Sequence, residues 1–400
     1  MKEFDTVLRF LAMSDIHFSR KYPIRRKNFE RGLALAYAYA EQQEYKTIDL
    51  IALNGDFTDH GEEEQFADMK ECLDSAVKPG TELLLTLASH EYMCDGHVEQ
   101  ATERLSRFFG RKPDNHIVKN GYHFISLSPT VSCRFEEEKR EYLKAELAKA
   151  HTDTPLKPVF LFQHPHIKKT VYGSIDWGED DLNDILVNYP QIVDFSGHSH
   201  APVNDPRSVH QRHFTCAGTG SFSYFELDEF DKVYGTVPPQ EEFAAQFLIV
   251  EVSRAGAVKI KPFDVITERF FDAEYLVETP WDPDSFTYTD KRYAAAQNPT
   301  FRPDAKLDVA VKPDGVAFTF DQADGKGERI NDYTLTVYQN SNGSIVRRIC
   351  FWSQYYLNDM PQRLTQQLDL TEPGEYTVTI SARGFWFNES VNKIKTVFTI

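Results

Sequence analysis

Aspartate and histidine recur along this chain in short clusters close enough to share a cation: Asp15 with His17, Asp56 with Asp59, His90 beside Ser89, His164 with His166, and His198 with His200. In an extended segment, residues two apart point the same way, so Asp15 and His17 can chelate one ion, as can one or both of His198 and His200. Imidazole and carboxylate without thiolate suit Zn, Fe, Mn, Ni or Co better than Ca or a sulfur cluster. A carboxylate between two such ions makes a dinuclear centre, and Asp56, next to the flexible Gly55, is the candidate bridge. Taken singly, each Asp reads as a turn or helix cap and each His as a hydrogen-bonded core residue; the ordered series is what points to metal. Other catalytic templates fail. There is no GxSxG elbow and no Walker loop, Gly218-Thr219-Gly220 lacks the third glycine of a dinucleotide fingerprint, and the stretch from His90 ends in Cys94 where HExxH needs histidine.

Each cluster stands at the end of an apolar run, which shows what positions it. Val7 to Met13, Ile48 to Leu53, Leu83 to Leu87, Val159 to Phe162 and Ile192 to Phe195 read as buried strands. Helical faces lie between the early ones: Phe29, Leu33, Ala36, Tyr37 and Ala40, then Phe66, Met69, Leu73 and Val77. This βαβα order predicts a largely parallel sheet, and such sheets bind ligands beyond the carboxyl ends of their strands. The polar clusters are therefore expected to converge. From Gln246 to Val265 the reading shifts to strands that complete the same domain with a second sheet.

A connector is predicted at residues 279–304, where Pro280, Pro283, Pro299 and Pro303 stand among polar and aromatic residues. It divides a catalytic domain, 1–278, from residues 305–400. There Leu307 to Val311, Val316 to Phe320, Tyr333 to Tyr338, Tyr376 to Ile380 and Thr396 to Ile400 alternate around turns such as Asn342-Gly343. That spacing predicts an immunoglobulin- or fibronectin-like β-sandwich.

With these blocks in order, the sequence resembles the calcineurin-like metallophosphoesterase superfamily, whose signature reads DxH, GDxxD, GNH followed by D or E, a later lone His, and GHxH. They stand here as Asp15-Ile16-His17, Gly55 to Asp59, Ala88-Ser89-His90-Glu91, His164, and Gly197-His198-Ser199-His200. The resemblance covers residues from about Val7 to about Ile266 and is nearest to bacterial members ending in a fibronectin type III-like sandwich. It implies a four-layer α/β/β/α catalytic domain with two divalent or mixed-valence ions of Mn, Fe or Zn. By it, Asp15, His17, Asp56 and His200 hold the first ion, and Asp56, His164 and His198 contribute to the second. His90 sits beside the leaving-group oxygen with Asp59 as its supporting partner, and His60 falls where the protein phosphatases place a phosphate-gripping Arg. His166 is left as pocket wall or substrate contact. Ser89 departs from the pattern, replacing a metal-binding Asn, and Ala88 replaces its Gly. A hydroxyl is a shorter and poorer neutral ligand than an amide carbonyl, so weaker second-site occupancy is expected.

The activity so implied is metal-assisted phosphoester hydrolysis by a metal-activated water or hydroxide, without a covalent enzyme intermediate. A phosphodiester is preferred over a monoester because no Arg or Lys clamp for a dianion adjoins the motifs. The alternatives are a phosphomonoesterase and, from another class, a non-catalytic binding protein with a decayed second site. Tyr92, Tyr172, Trp177 and Tyr224 could stack a nucleotide, although core packing is the default for them.

Charge and composition set the remaining bounds. Lys and Arg total 44 against 61 Asp and Glu, a net charge of −17, which argues against a nucleic-acid duplex or an anionic membrane as partner. A small phosphoester is still admissible, because two divalent ions outweigh the carboxylates that hold them. The 400 residues suit two or three domains, and no apolar run reaches the roughly 18 residues of a membrane span. Five scattered cysteines with no CxxC pair predict reduced thiols. With no apolar leader in the first residues, the expected address is cytoplasmic, or extracellular if a signal peptide has been removed.

Overall fold

The computed structural model describes residues 4–229 and 231–400. The chain divides into two compact units, Met1–Asp228 with Gln240–Thr289, and Glu229–Pro239 with Asp290–Ile400. By sequence the change falls at 278 with a linker to 304. The segment Glu229–Pro239 carries no compositional cue, yet it is built into the second unit. There the Val233 N–H donates to the Cys350 carbonyl at 2.8 Å, and buried Lys232 pairs with Asp332 at 3.1 Å and Glu229 at 3.0 Å. Among the described residues, no helix is long and apolar enough to cross a membrane.

In the first unit, β1 (Thr6–Met13) is flanked by β2 (Leu50–Asn54), which runs parallel to it, and then by β3 (Glu82–Thr86). On its other side β1 pairs antiparallel with β12 (Gln246–Ser253), which leads to β13 (Val258–Asp264), β14 (Arg269–Phe270) and β15 (Tyr275–Val277). A second sheet is ordered β10 (Val209–Gln211), β11 (Thr215–Gly218), β9 (Ile192–Ser196), β6 (Val159–Phe162), β5 (Tyr122–Ser126), β4 (Asn115–Lys119), parallel from β5 to β11.

The alternation along β1 shows why the layers stack. Leu8, Phe10 and Ala12 face a core between the two sheets, where Phe10 meets Phe124, Phe160, Phe162 and Phe195 with ring centroids 4.8–5.9 Å apart. Leu11 and Met13 face the opposite way, onto α1 (Pro23–Glu41), α2 (Glu63–Ala76) and α4 (Val98–Phe109). A strand buried on both faces reads as one continuous apolar run, as β1 does. The outer face of the second sheet packs on α5 (Glu137–Asp153) and α6 (Asn183–Leu186). The order of layers is thus α/β/β/α. The short α3 (Ser89–Tyr92), β7 (His166–Ile167) and β8 (Gly178–Glu179) lie in the loops beyond the strand ends.

The second unit carries α7 (Lys291–Ala295) and two antiparallel sheets. One is β16 (Leu307–Lys312), β17 (Gly315–Asp321) and β20 (Arg363–Leu368); the other is β19 (Ile345–Trp352), β18 (Asp332–Gln339), β21 (Glu375–Arg383) and β22 (Ile394–Thr399). Phe318, Phe320, Tyr333, Val337 and Ile380 fill one core shared by both sheets, making this unit a β-sandwich.

Candidate metal centre

Five parallel strand ends deliver the polar side chains. Asp15 and His17 follow β1, Asp56 follows β2, Ser89 and His90 open α3 after β3, His164 follows β6, and His198 and His200 follow β9. The extended geometry expected at these ends is not what forms. Asp15, His17, Asp56, His198 and His200 all lie in the left-handed region, with φ of 52°, 50°, 50°, 73° and 54°. Each such non-glycine conformation costs on the order of 1–3 kcal/mol and persists only where its surroundings hold it. Main-chain hydrogen bonds do so here: Asp15 N–H to the Gly55 carbonyl at 3.3 Å, His17 N–H to that of Asp56 at 3.0 Å, and Gly197 N–H to that of His164 at 3.0 Å. The loops are stitched to one another; Asp15 and His17 still converge, whereas His198 and His200 turn to different groups.

Three groups of three have their ligand atoms within 4.8 Å of one another: Asp15, His17 and His200; Asp56, His164 and His198; and, toward the rim and sharing His17 with the first, His17, Asp59 and His90. His200 Nε2 lies 3.2 Å from Asp15 Oδ1 and 3.3 Å from His17 Nε2, while His164 Nε2 lies 3.0 Å from Asp56 Oδ2 and 3.9 Å from Asp15 Oδ1. Asp15 Oδ1 and His164 Nε2 are buried and make no hydrogen bond. Buried polar atoms are normally paired, so orphaned ligand atoms aimed at one another fit a cation among them.

On His164 and His200 the second ring nitrogen is tied down, which fixes the direction of the lone pair there. His164 Nδ1–H donates to the Asn54 carbonyl at 2.7 Å, and His200 Nδ1 faces the Tyr224 carbonyl at 3.2 Å. The Tyr224 ring covers His200 at 4.1 Å, and Trp177 meets His198 edge-on at 5.1 Å. Burial works against the charged His164 imidazole, yet the Asp56 and Asp15 carboxylates push it up to about 9. Burial likewise opposes charge on Asp56, but His164 and His90 hold it well below the usual carboxylate range. For His17 and His198, burial and neighbouring imidazoles lower the pKa, that of His198 to about 4, leaving them neutral ligands. The field at His164 therefore favours positive charge, while His17 and His198 beside it are held neutral.

Around this core, Ser89 Oγ sits 3.3 Å from Asp56 Oδ2, and the His90 N–H donates to Asp56 Oδ1 at 2.9 Å. His90 Nδ1 is oriented by Asp59, but through the main-chain carbonyl of Asp59 at 2.6 Å rather than the carboxylate expected from sequence. The carboxylate instead accepts from Arg25 at 3.0 Å and lies 3.8 Å from His17 Nδ1. His60 is at the rim, largely exposed, with Nδ1 3.2 Å from Asp59 Oδ2. His166, expected as pocket wall or substrate contact, is 1% exposed, and its two ring nitrogens bind the Ser196 and Ser199 hydroxyls at 2.8 and 2.7 Å. With both nitrogens occupied it supports the loop after β9.

Other contributors stand in the same sequence blocks without having been assigned a role from the sequence. Glu91 is buried and accepts from the N–H groups of Asp56, Thr58 and Ala88 and from the Thr58 hydroxyl, joining the loops after β2 and β3. Burial and the nearby Asp56 raise its pKa to about 8. Gly55, at φ +85°, lets β2 pass under the imidazole: a Cβ there would lie 2.8 Å from His164 Nδ1. At Gly197 a Cβ would collide with Ser14 Oγ and Asp15 Oδ2.

Residues 8–202 match the family model described as calcineurin-like phosphoesterase, and that similarity supports a phosphoester hydrolase. Comparison with curated proteins finds no match. Among solved structures, the purple acid phosphatase PPD1 of yellow lupin (Lupinus luteus) seeds is similar at 11% identity and TM-score 0.48, over 68% of this chain and 54% of that chain. The match thus spans about half the length of the lupin enzyme. A family 76 glycoside hydrolase from a bovine Bacteroides thetaiotaomicron strain is similar at 14% identity and TM-score 0.19, over 26% of this chain and 20% of that chain.

Proposed function

We propose that this chain is a metal-dependent phosphodiesterase that holds two divalent ions, of Mn, Fe or Zn. The observation that carries the reading is the pair of three-residue groups with their orphaned buried atoms, Asp15 Oδ1 and His164 Nε2. Asp15, His17 and His200 would hold one ion, His164 and His198 the other, with Asp56 between them. Bound there, the ions would supply Lewis-acid charge neutralisation and an activated nucleophile. His90, part-buried and oriented through Nδ1, presents Nε2 toward the centre, 4.0 Å from Asp56 Oδ2, where it can pass a proton to a leaving oxygen.

The preference for a diester rests on the cations nearby. Arg25, the nearby arginine, gives Nη1 to the Asp59 carboxylate at 3.0 Å and to the His17 carbonyl at 3.2 Å and lies over the face of Tyr22, so it is turned to holding Asp59 rather than dedicated to a phosphate dianion. For the sandwich, three strands against four support a fibronectin type III-like module. Assaying an aryl phosphodiester and the matching monoester with added Mn tests the reading. A higher kcat/KM on the diester is expected, a monoester preference would shift the assignment to a phosphomonoesterase, and inactivity on both would reject it.

A further inference from the structure

Asp56, His164 and His198 offer the second ion three donors, one fewer than the four such an ion usually takes. His164 Nε2, fully buried and without a hydrogen bond, is aimed at Asp56 within that group and fits an ion there. Beside the gap stands Ser89, whose hydroxyl lies 3.3 Å from Asp56 Oδ2 and is a poor neutral ligand. Against the Ser89 hydroxyl and its main-chain N–H lies the sulfur of Cys133.

Cys133 comes from the loop after β5, and three hydrogen bonds fix that loop to the site. The Leu127 N–H donates to the Phe162 carbonyl at the end of β6, at 3.0 Å. The Leu87 N–H, just beyond β3, donates to the Ser128 hydroxyl at 3.0 Å, and the Tyr92 hydroxyl at the end of α3 donates to the Pro129 carbonyl at 2.8 Å. The turn then closes on itself, with the Cys133 N–H on the Thr130 carbonyl at 3.0 Å and the Thr130 N–H on the Arg134 carbonyl at 2.8 Å. Cys133 itself is buried and stands at φ 58°, in the same left-handed region as Asp15, His17, Asp56, His198 and His200. A side chain keeps that conformation only where its surroundings hold it. The loop is thus tied to the strand ends that deliver Ser89 and His164. Burial, with Asp56 nearby, raises the thiol to about 12, so without an ion the sulfur keeps its proton. A divalent ion within bonding distance reverses that preference, because a coordinating thiol is deprotonated outright.

We propose that Cys133 is a ligand of the second ion, supplying as thiolate the donor that Ser89 supplies poorly, and that it favours Zn over Mn there. The inference rests on the two-ion reading of the site. On binding, the S–H proton passes to solvent and a sulfur–metal bond forms, with no change of oxidation state. Thiolate is a soft donor suited to Zn, whereas Mn prefers carboxylate, carbonyl and water. Four donors then surround the ion, and its coordination can still expand to a fifth at position 89.

The test loads the metal-free full chain with Co²⁺, whose thiolate complexes carry an intense near-ultraviolet charge-transfer band that imidazole and carboxylate complexes lack. Two cobalt ions per chain are expected, one of them giving that band. Cys133→Ser should abolish the band and weaken one ion by about tenfold or more. Cys94→Ala, which removes the exposed thiol next to His60, should keep the band and both ions. X-ray absorption of the zinc-loaded, unaltered chain reads the same bond without a variant, so it also covers a Cys133→Ser chain that fails to fold; one sulfur at about 2.3 Å is expected. Two bound ions with no band and no sulfur neighbour, or a band that survives Cys133→Ser, overturn this inference and leave the two-ion centre standing. A chain that binds no ion overturns both.

Discussion

His164 Nε2 and Asp56 Oδ2 stand 3.0 Å apart in a fully buried site, and yet that nitrogen makes no hydrogen bond. Because His164 Nδ1–H is donated to the Asn54 carbonyl, a neutral ring presents its Nε2 lone pair to a carboxylate. Two lone pairs facing each other out of water repel unless positive charge lies between them. The ring can supply that charge as a proton, consistent with a pKa raised to about 9 against the penalty of burial, or a metal ion can supply it.

Replacement of His90 by alanine should leave metal content unchanged and lower kcat by about 10²–10⁴, the range for a lost general acid or base. Asp59→Ala should cost much less, within about tenfold of the unaltered rate, because the group that orients His90 is the Asp59 carbonyl, which alanine keeps. Steady-state kinetics with elemental analysis of each variant checks both. Equal losses would restore the carboxylate to the role expected from sequence.

That these Asp and His side chains would gather was legible because each follows an apolar run, and strand order alone brings parallel strand ends together. The left-handed backbone at Asp15, His17, Asp56, His198 and His200 was not, since it depends on hydrogen bonds between loops far apart in the chain. The same holds for His166, whose burial follows from Ser196 and Ser199 closing on both ring nitrogens. In the sandwich, β20 was missed because buried Gln366 interrupts the alternation of Leu364 and Leu368, and β19 because Arg347 and Arg348 give its exposed part a polar reading. Alternation reports burial only where the buried residue is apolar.

Ser89→Asn should strengthen metal retention. The serine hydroxyl lies 3.3–3.4 Å from the Asp56 oxygens, and a carboxamide reaches farther into the second group. An increase in affinity of about tenfold at the weaker site is expected, within the effect of single residues around metal ligands. Competition against a chelating dye measures it, and unchanged or weaker binding would show that the serine leaves no deficit to repair.

Stability should fall as pH rises toward neutrality because of Asp194. Burial raises its pKa to about 7, against which the Gln163 amide at 3.2 Å works only in part. The folded state therefore prefers the protonated acid. Its contribution is full below the ordinary carboxylate pKa near 4 and is lost as pH climbs through about 7, a change of order 4 kcal/mol. Asp194→Asn, which keeps an acceptor for Gln163, should raise the melting temperature at about pH 8 and change it little at about pH 4. A variant no more stable than the parent at the higher pH would show that burial does not raise the pKa of this acid.

The most direct test is elemental and anomalous-diffraction analysis of the purified chain and its Asp56→Asn variant. Two ions per chain are expected, one among Asp15, His17 and His200 and one among Asp56, His164 and His198, with the variant losing occupancy at both and turnover by more than about a hundredfold, beyond what supporting residues cost. A metal-free parent that keeps its activity, or ions bound only elsewhere in the chain, would contradict the account.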